Sequence, residues 1–168
     1  VDKFNLFQIS TGEILRQEIK IKSNLGKQIS SLINSGELVS DLIVSNLIEK
    51  YISNETFKNK LIFDGYPRNL SQAINLDTLL KKYNQKIDIA LKLSVSLETI
   101  KKRILERKSQ EKRADDSEEI AIKRYKNYEK SILPVIDYYK SSNLLKVVEG
   151  EASIAEINGE ISGIIEAI

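Results

Sequence analysis

Short apolar runs of strand length, each closed by a polar residue or glycine, alternate along this chain with stretches of helical periodicity. Residues 60–64 carry Leu61-Ile62-Phe63 and end on Asp64; residues 144–148 end at Glu149-Gly150. Such continuous runs suit strands buried on both faces of a parallel sheet. A third strand is predicted over 87–93, where Ile89, Leu91 and Leu93 alternate, and another over 3–9, ending Leu6-Phe7-Gln8-Ile9. Ser10 with Glu13 three residues later reads as a capping box opening a helix. Leu25, Ile29, Leu32 and Ile33 form a helical stripe that stops at Asn34-Ser35-Gly36. Further helices are predicted over 40–52, 70–82, from Ser96 through Ile104, and 116–139, and a terminal one carries Ile154, Ile157, Ile161 and Ile164. The polar segment 108–114 is expected to interrupt the fifth helix, and Pro134 to kink or break the sixth. This alternation gives an α/β class with a parallel sheet flanked by helices. Ligands in such folds bind beyond the carboxyl ends of the strands, which singles out Ser10-Thr11-Gly12, Asp64-Gly65 and Gly150.

The 168 residues suit one domain. Charged residues make up 30% but the net charge is only +2, with no long basic run, so nucleic acid is not an expected partner. No apolar stretch nears the roughly 18 residues that span a bilayer, so no membrane partner and a cytoplasmic location are expected. The absence of Cys and His removes disulfides, imidazole bases and the usual zinc cages. Met is also absent, even at position 1, as expected of a processed or truncated chain. Of 26 basic residues, six are Arg: Arg16, Arg68, Arg103, Arg107, Arg113 and Arg124. Where Lys serves for plain charge, an Arg points to its planar bidentate fork and so to phosphate or carboxylate.

Three motifs carry chemistry. In Asp64-Gly65-Tyr66-Pro67-Arg68, the carboxylate at a strand end can orient water on Mg2+ beside a phosphate chain. Gly65 permits close approach to the backbone, Pro67 fixes the turn, and Arg68 can fork onto a phosphate. In Ser10-Thr11-Gly12-Glu13-Ile14-Leu15-Arg16, a helix N-terminus offers free N–H groups to an anion and Arg16 adds a charge-assisted contact one turn on. Arg103 and Arg107 share a helix face, and Arg113 and Arg124 flank the acidic pair Asp115-Asp116.

In this order, with Gly36-Glu37-Leu38-Val39 and Gln72 between them and Arg113-Ala114-Asp115-Asp116 after, these motifs resemble the adenylate kinase family over essentially the whole chain. The resemblance implies a P-loop NTPase-like fold and phosphoryl transfer from ATP to AMP with Mg2+. It implies AMP contacts from Thr11, Arg16, the backbone of Glu37, Leu38 and Val39, then Gly65, Tyr66, Pro67, Arg68 and Gln72. Gln72 would read the adenine edge, and Arg16 and Arg68 the AMP phosphate. Arg103 would stack on the ATP base, which Gly150 and Ala152 border, and Arg107 would contact its phosphates. Arg113 and Arg124 would clamp the transferring group, and Asp64 would act through magnesium-bound water, with no direct metal ligand. Residues 23–53 would form an AMP-binding flap, and 108–112 a short lid. A monomer is expected.

The resemblance fails at one place. The family's glycine-rich phosphate loop and the central strand before it have no counterpart, since the seven glycines are dispersed. Gly26-Lys27 is a decoy, followed by Gln28 and preceded by no strand. The expectation is a sheet missing its central strand, marginal stability and no measurable turnover by these residues alone. Two alternatives stand beside this reading: a UMP/CMP kinase, and a non-catalytic nucleotide-binding module.

Overall fold

The computed structural model describes residues 1–35, 37, 39–111 and 117–168, the side chains of 108–111 excepted. After a 3-10 turn come β1 (Phe7–Ser10), α1 (Thr11–Lys20), α2 (Asn24–Asn34) and α3 (Asp41–Ile52). A second 3-10 turn leads to β2 (Leu61–Asp64), α4 (Leu70–Lys82), β3 (Ala90–Ser94) and α5 (Leu97–Glu111). The chain ends with α6 (Glu118–Ser141), β4 (Leu145–Glu149) and α7 (Ile154–Glu166). Every strand and helix read from the sequence is present, and the class is α/β.

The strands pair in parallel as two ribbons, β1 with β2 and β3 with β4, the arrangement expected of a parallel sheet without its central strand. The registers matter for function. Ser10 faces Asp64 across the first ribbon, and Ser94 faces Glu149 across the second. Each ribbon therefore brings two polar strand ends, and the turns that follow them, to one edge.

The main core gathers Ile9 of β1, Leu15 of α1, Ile29 of α2, Ile48 of α3 and Leu76 and Leu80 of α4. A smaller core packs Ala73 of α4 against Val135 and Tyr139 of α6. Helix α4 is thus shared, with Leu76, Leu79 and Leu80 on the first core and Ala73 on the second. Gly26, set aside above as a decoy for a phosphate loop, has a packing role. A Cβ there would lie 2.1 Å from the Glu18 carbonyl oxygen, so only glycine lets α2 close against the end of α1.

Four local expectations need correction. Ser10 is the N-cap residue of α1, yet its side chain makes no capping hydrogen bond. Ser153 and Glu156 form a reciprocal capping box instead, at the start of α7. Pro134 lies inside an unbroken α6; the residue whose carbonyl loses its helical partner is Lys130, which is exposed, so water can satisfy it. Helix α5 runs on through the polar residues to Glu111, because Glu, Lys, Arg and Gln are good helix formers when solvated. Finally, the isoleucine stripe of α7 is only half covered: Ile157, Ile161 and Ile164 are partly buried and Ile154 is exposed.

Candidate functional site

The turn after β2 organises one end of the first ribbon. Gly65 has φ +69°, a left-handed conformation that favours glycine. Its carbonyl accepts from Thr11 Oγ1 at 3.2 Å and from Arg68 Nε at 2.7 Å. That one oxygen ties the start of α1 to the guanidinium of Arg68. The guanidinium of Arg16 folds back over Gly12, where a Cβ would lie 3.2 Å from Nη1.

Between these groups lies a cavity whose polar wall is Thr11, Gly12, Arg16, Arg68, Gln72 and Arg124. Its apolar wall includes Leu15, Ile33, Val39, Val44 and Tyr66, and Glu37 stands at its border. Glu37 also pairs with Lys123 of α6 at 3.1 Å, joining the loop between α2 and α3 to the helix that carries Arg124. Three guanidinium groups on α1, the Asp64–Arg68 turn and α6, far apart in sequence, thus border one space. Crowding around its guanidinium, which thins the water there although the residue remains exposed, and the positive charges of Arg124 and Arg16 lower the Arg68 pKa from its ordinary value, against the opposing pull of Asp64. An anion brought among them would relieve that repulsion. Asp64 is exposed and accepts from Gln8 Nε2 at 2.9 Å. The Tyr66–Pro67 peptide in the same turn is cis.

A second locus forms where β3 and β4 end. Gly150 N donates to Ser94 O at 2.8 Å, and a Cβ on Gly150 would fall 2.5 Å from Val95 Cγ2. Arg103 Nη2 donates to Gly150 O at 2.7 Å. Glu151 accepts from Ser96 N and Thr99 Oγ1 at the start of α5. Those hydrogen bonds, Thr99 foremost, hold its carboxyl below the usual carboxylate range. Ala152 is half-buried beside it, and Arg107 is half-buried one turn beyond Arg103.

The structure therefore gathers Thr11, Arg16, Glu37, Val39, Gly65, Tyr66, Arg68, Gln72 and Arg124 around the cavity. It puts Arg103 and Gly150 together at the second ribbon. Asp64 and Pro67 belong to the turn but are not among the cavity-lining residues. Leu38, Arg113 and Lys112 of the expected lid lie outside the described residues; the rest of that lid, 108–111, is backbone of α5. Sequence reasoning singled out Gly12 but not its role, the lack of a side chain that admits the Arg16 guanidinium, and it missed the Glu151 carboxylate. It also missed Leu15, Ile33 and Val44 of the apolar wall, which read as ordinary core periodicity.

The adenylate kinase family model matches residues 1–144. The chain is 38% identical to an adenylate kinase of Pelagibacter ubique, over 99% of this chain and 90% of that protein. It is 37% identical to one of Bifidobacterium longum, over 98% and 89% of the two chains. With an adenylate kinase of Prochlorococcus marinus it shares 41% identity, over 91% of this chain and 81% of the other. On the extent of these matches, this chain belongs to the adenylate kinase family, a family of phosphotransferases.

Proposed function

We propose that the chain is built to pass a phosphoryl group between ATP and AMP, forming two ADP. The observation that carries this reading is the convergence of Arg16, Arg68 and Arg124 on a cavity that Gln72 also lines. An AMP phosphate held by Arg16 and Arg68 would meet bidentate, charge-assisted donors. The first-turn N–H groups of α1, with no side-chain cap from Ser10, add partial positive charge. The Glu37–Val39 segment and Gln72 would take the adenine, within a flap spanning 23–53. Arg103, Gly150 and Ala152 would border the ATP base, and Arg107, Arg113 and Arg124 would meet its phosphates.

In transfer, an AMP phosphate oxygen bonds to the γ-phosphorus as the bond from that phosphorus to the β–γ bridging oxygen breaks, leaving ADP on both sides. Such chemistry needs positioning and charge stabilisation more than a general base, which suits a chain without His or Cys. Asp64 fits Mg2+ held through water: it is a single exposed carboxylate at a strand end, and among the described residues no group of three or more His, Cys, Asp or Glu could cage a metal. Mg2+ arriving with ATP would neutralise phosphate charge, and Asp64 would orient its water.

No glycine-rich loop occurs in the 168 residues, so these residues alone are expected to bind AMP without measurable turnover. Calorimetric titration with AMP, UMP and CMP tests the acceptor site, with AMP expected to bind most tightly. Tighter binding of UMP or CMP would support a pyrimidine kinase, and binding of none of the three would remove the reading. A coupled assay with Mg-ATP and AMP tests turnover, and a robust rate from these residues overturns the expectation of inactivity.

A further inference from the structure

Asp41 is the first residue of α3, and its carboxylate turns toward α4. Its Oδ1 accepts from Gln72 Nε2 at 2.7 Å, and its Oδ2 from Asn69 Nδ2 at 3.1 Å. Asn69 caps α4 by accepting from Gln72 N at 2.8 Å. At the other end of the same side chain, Gln72 Oε1 accepts from Arg68 N at 2.7 Å. Gln72 is 3% exposed, yet it borders the cavity.

A carboxamide has two faces that differ only in which atom donates, and nothing in its shape prevents a half-turn flip. Here the partners prevent it. An ionised carboxylate only accepts, and a backbone N–H only donates. A flipped Gln72 would set its oxygen against Asp41 and its NH2 against the Arg68 N–H, leaving buried groups opposed and unsatisfied. One Nε2 hydrogen and one Oε1 lone pair then remain for a ligand, in fixed order.

We infer that Asp41 is a specificity-determining positioning residue, which locks the Gln72 amide so that the cavity accepts a 6-aminopurine and rejects a 6-oxopurine. The inference rests on the nucleotide reading above. Adenine offers an amino donor beside a ring-nitrogen acceptor, which matches the locked amide. The 6-oxopurine of IMP reverses that order along the same edge. A site built around fixed hydrogen-bond partners discriminates strongly, because a mismatched ligand strands buried polar groups.

The test is calorimetric titration of AMP and IMP into the wild-type chain, Asp41→Asn and Asp41→Ser, with Arg68→Lys as the phosphate-side control. Asn can turn its own amide and so no longer obliges Gln72 Nε2 to face it, and Ser removes the carboxylate; either change leaves the Arg68 N–H as the one fixed partner of the Gln72 amide. The expected result is a preference for AMP over IMP that shrinks about tenfold or more in both Asp41 variants, while Arg68→Lys weakens both ligands alike. An unchanged AMP-to-IMP ratio in a folded Asp41 variant overturns the role of Asp41 and leaves the nucleotide site standing. Absence of AMP binding by the wild type removes the site and this inference together. Independently of any variant, the Gln72 side-chain NH2 protons of the wild type should exchange slowly with water, as hydrogen-bonded and buried donors do; exchange as fast as that of a free glutamine would refute the lock.

Discussion

The Tyr138 hydroxyl donates a 2.7 Å hydrogen bond to Asp77 Oδ2, joining α6 to α4 beside the smaller core. The contact is partly buried and has a charged acceptor, so Tyr138→Phe should destabilise the fold by about 1 kcal/mol. Urea unfolding followed by circular dichroism should show a lower midpoint at the same slope. An unchanged midpoint would mean that water replaces the hydroxyl at no cost.

Stability should fall in alkali. The hydrogen bond to Asp77, then burial and the Asp77 charge, raise the Tyr138 pKa; burial foremost raises those of Tyr66 and Tyr139. The Tyr139 hydroxyl is buried without a hydrogen-bond partner, so its phenolate would be a stranded charge. These groups keep their protons in the folded chain after the unfolded chain has released them. Their contribution is full below the ordinary tyrosine value of about 10 and is lost as pH rises beyond it. Tyrosinate absorbance and ellipticity followed from pH 8 to 12 should change together; ionisation of all tyrosines near their ordinary value in a still-folded chain contradicts this.

Phosphate recognition should separate from base recognition. Arg68→Ala removes a guanidinium from the cavity wall, and AMP affinity should drop about 10- to 100-fold, the worth of charge-assisted hydrogen bonds. Adenosine, lacking the phosphate, should bind the variant and the wild type equally. A parallel loss for both ligands would show that Arg68 supports the turn and not the anion.

Two glycine substitutions should act in opposite directions. Gly26→Ala drives a methyl into the Glu18 backbone at 2.1 Å and should cost about 3 kcal/mol or more. Gly163 sits exposed within α7 with nothing within 4 Å of where a Cβ would lie, so Gly163→Ala should add about 0.5–1 kcal/mol of stability. Melting temperatures of the two variants read both signs at once.

The 168 residues should melt early and broadly. Each ribbon has strands with open edges, and Leu93 and Val147 are 46% and 56% exposed. Calorimetry should show a low, wide transition, and a hydrophobic dye should bind before heating. A sharp, cooperative melt at a mesophilic temperature or above would contradict both.

Much of this was legible in the sequence because strand length, apolar period and turn residues are local. The run Leu61-Ile62-Phe63 and the turn Asp64–Arg68 needed only neighbours to be read. Pro134 misled because its penalty depends on whether the Lys130 carbonyl can reach water, which a sequence does not state. Ser10 misled for a related reason: its spacing to Glu13 fits a capping box, but the backbone enters α1 directly from a paired strand. Asp41 was invisible. Its partners Asn69 and Gln72 lie about thirty residues away on another helix, and no periodicity links them. The Lys123–Glu37 pair was hidden in the same way.

Ala73 is fully buried where α4 meets α6, and Val135 lies across from it. That small methyl works as a spacer. From Val135 back to Arg124 is eleven residues of helix, a lever of about 16 Å. A tilt of about 5° at the seam would swing the far end by about 1.4 Å over that length, a large fraction of a hydrogen bond. On this lever, the width of one alanine would bear on how far a distant guanidinium reaches into the cavity.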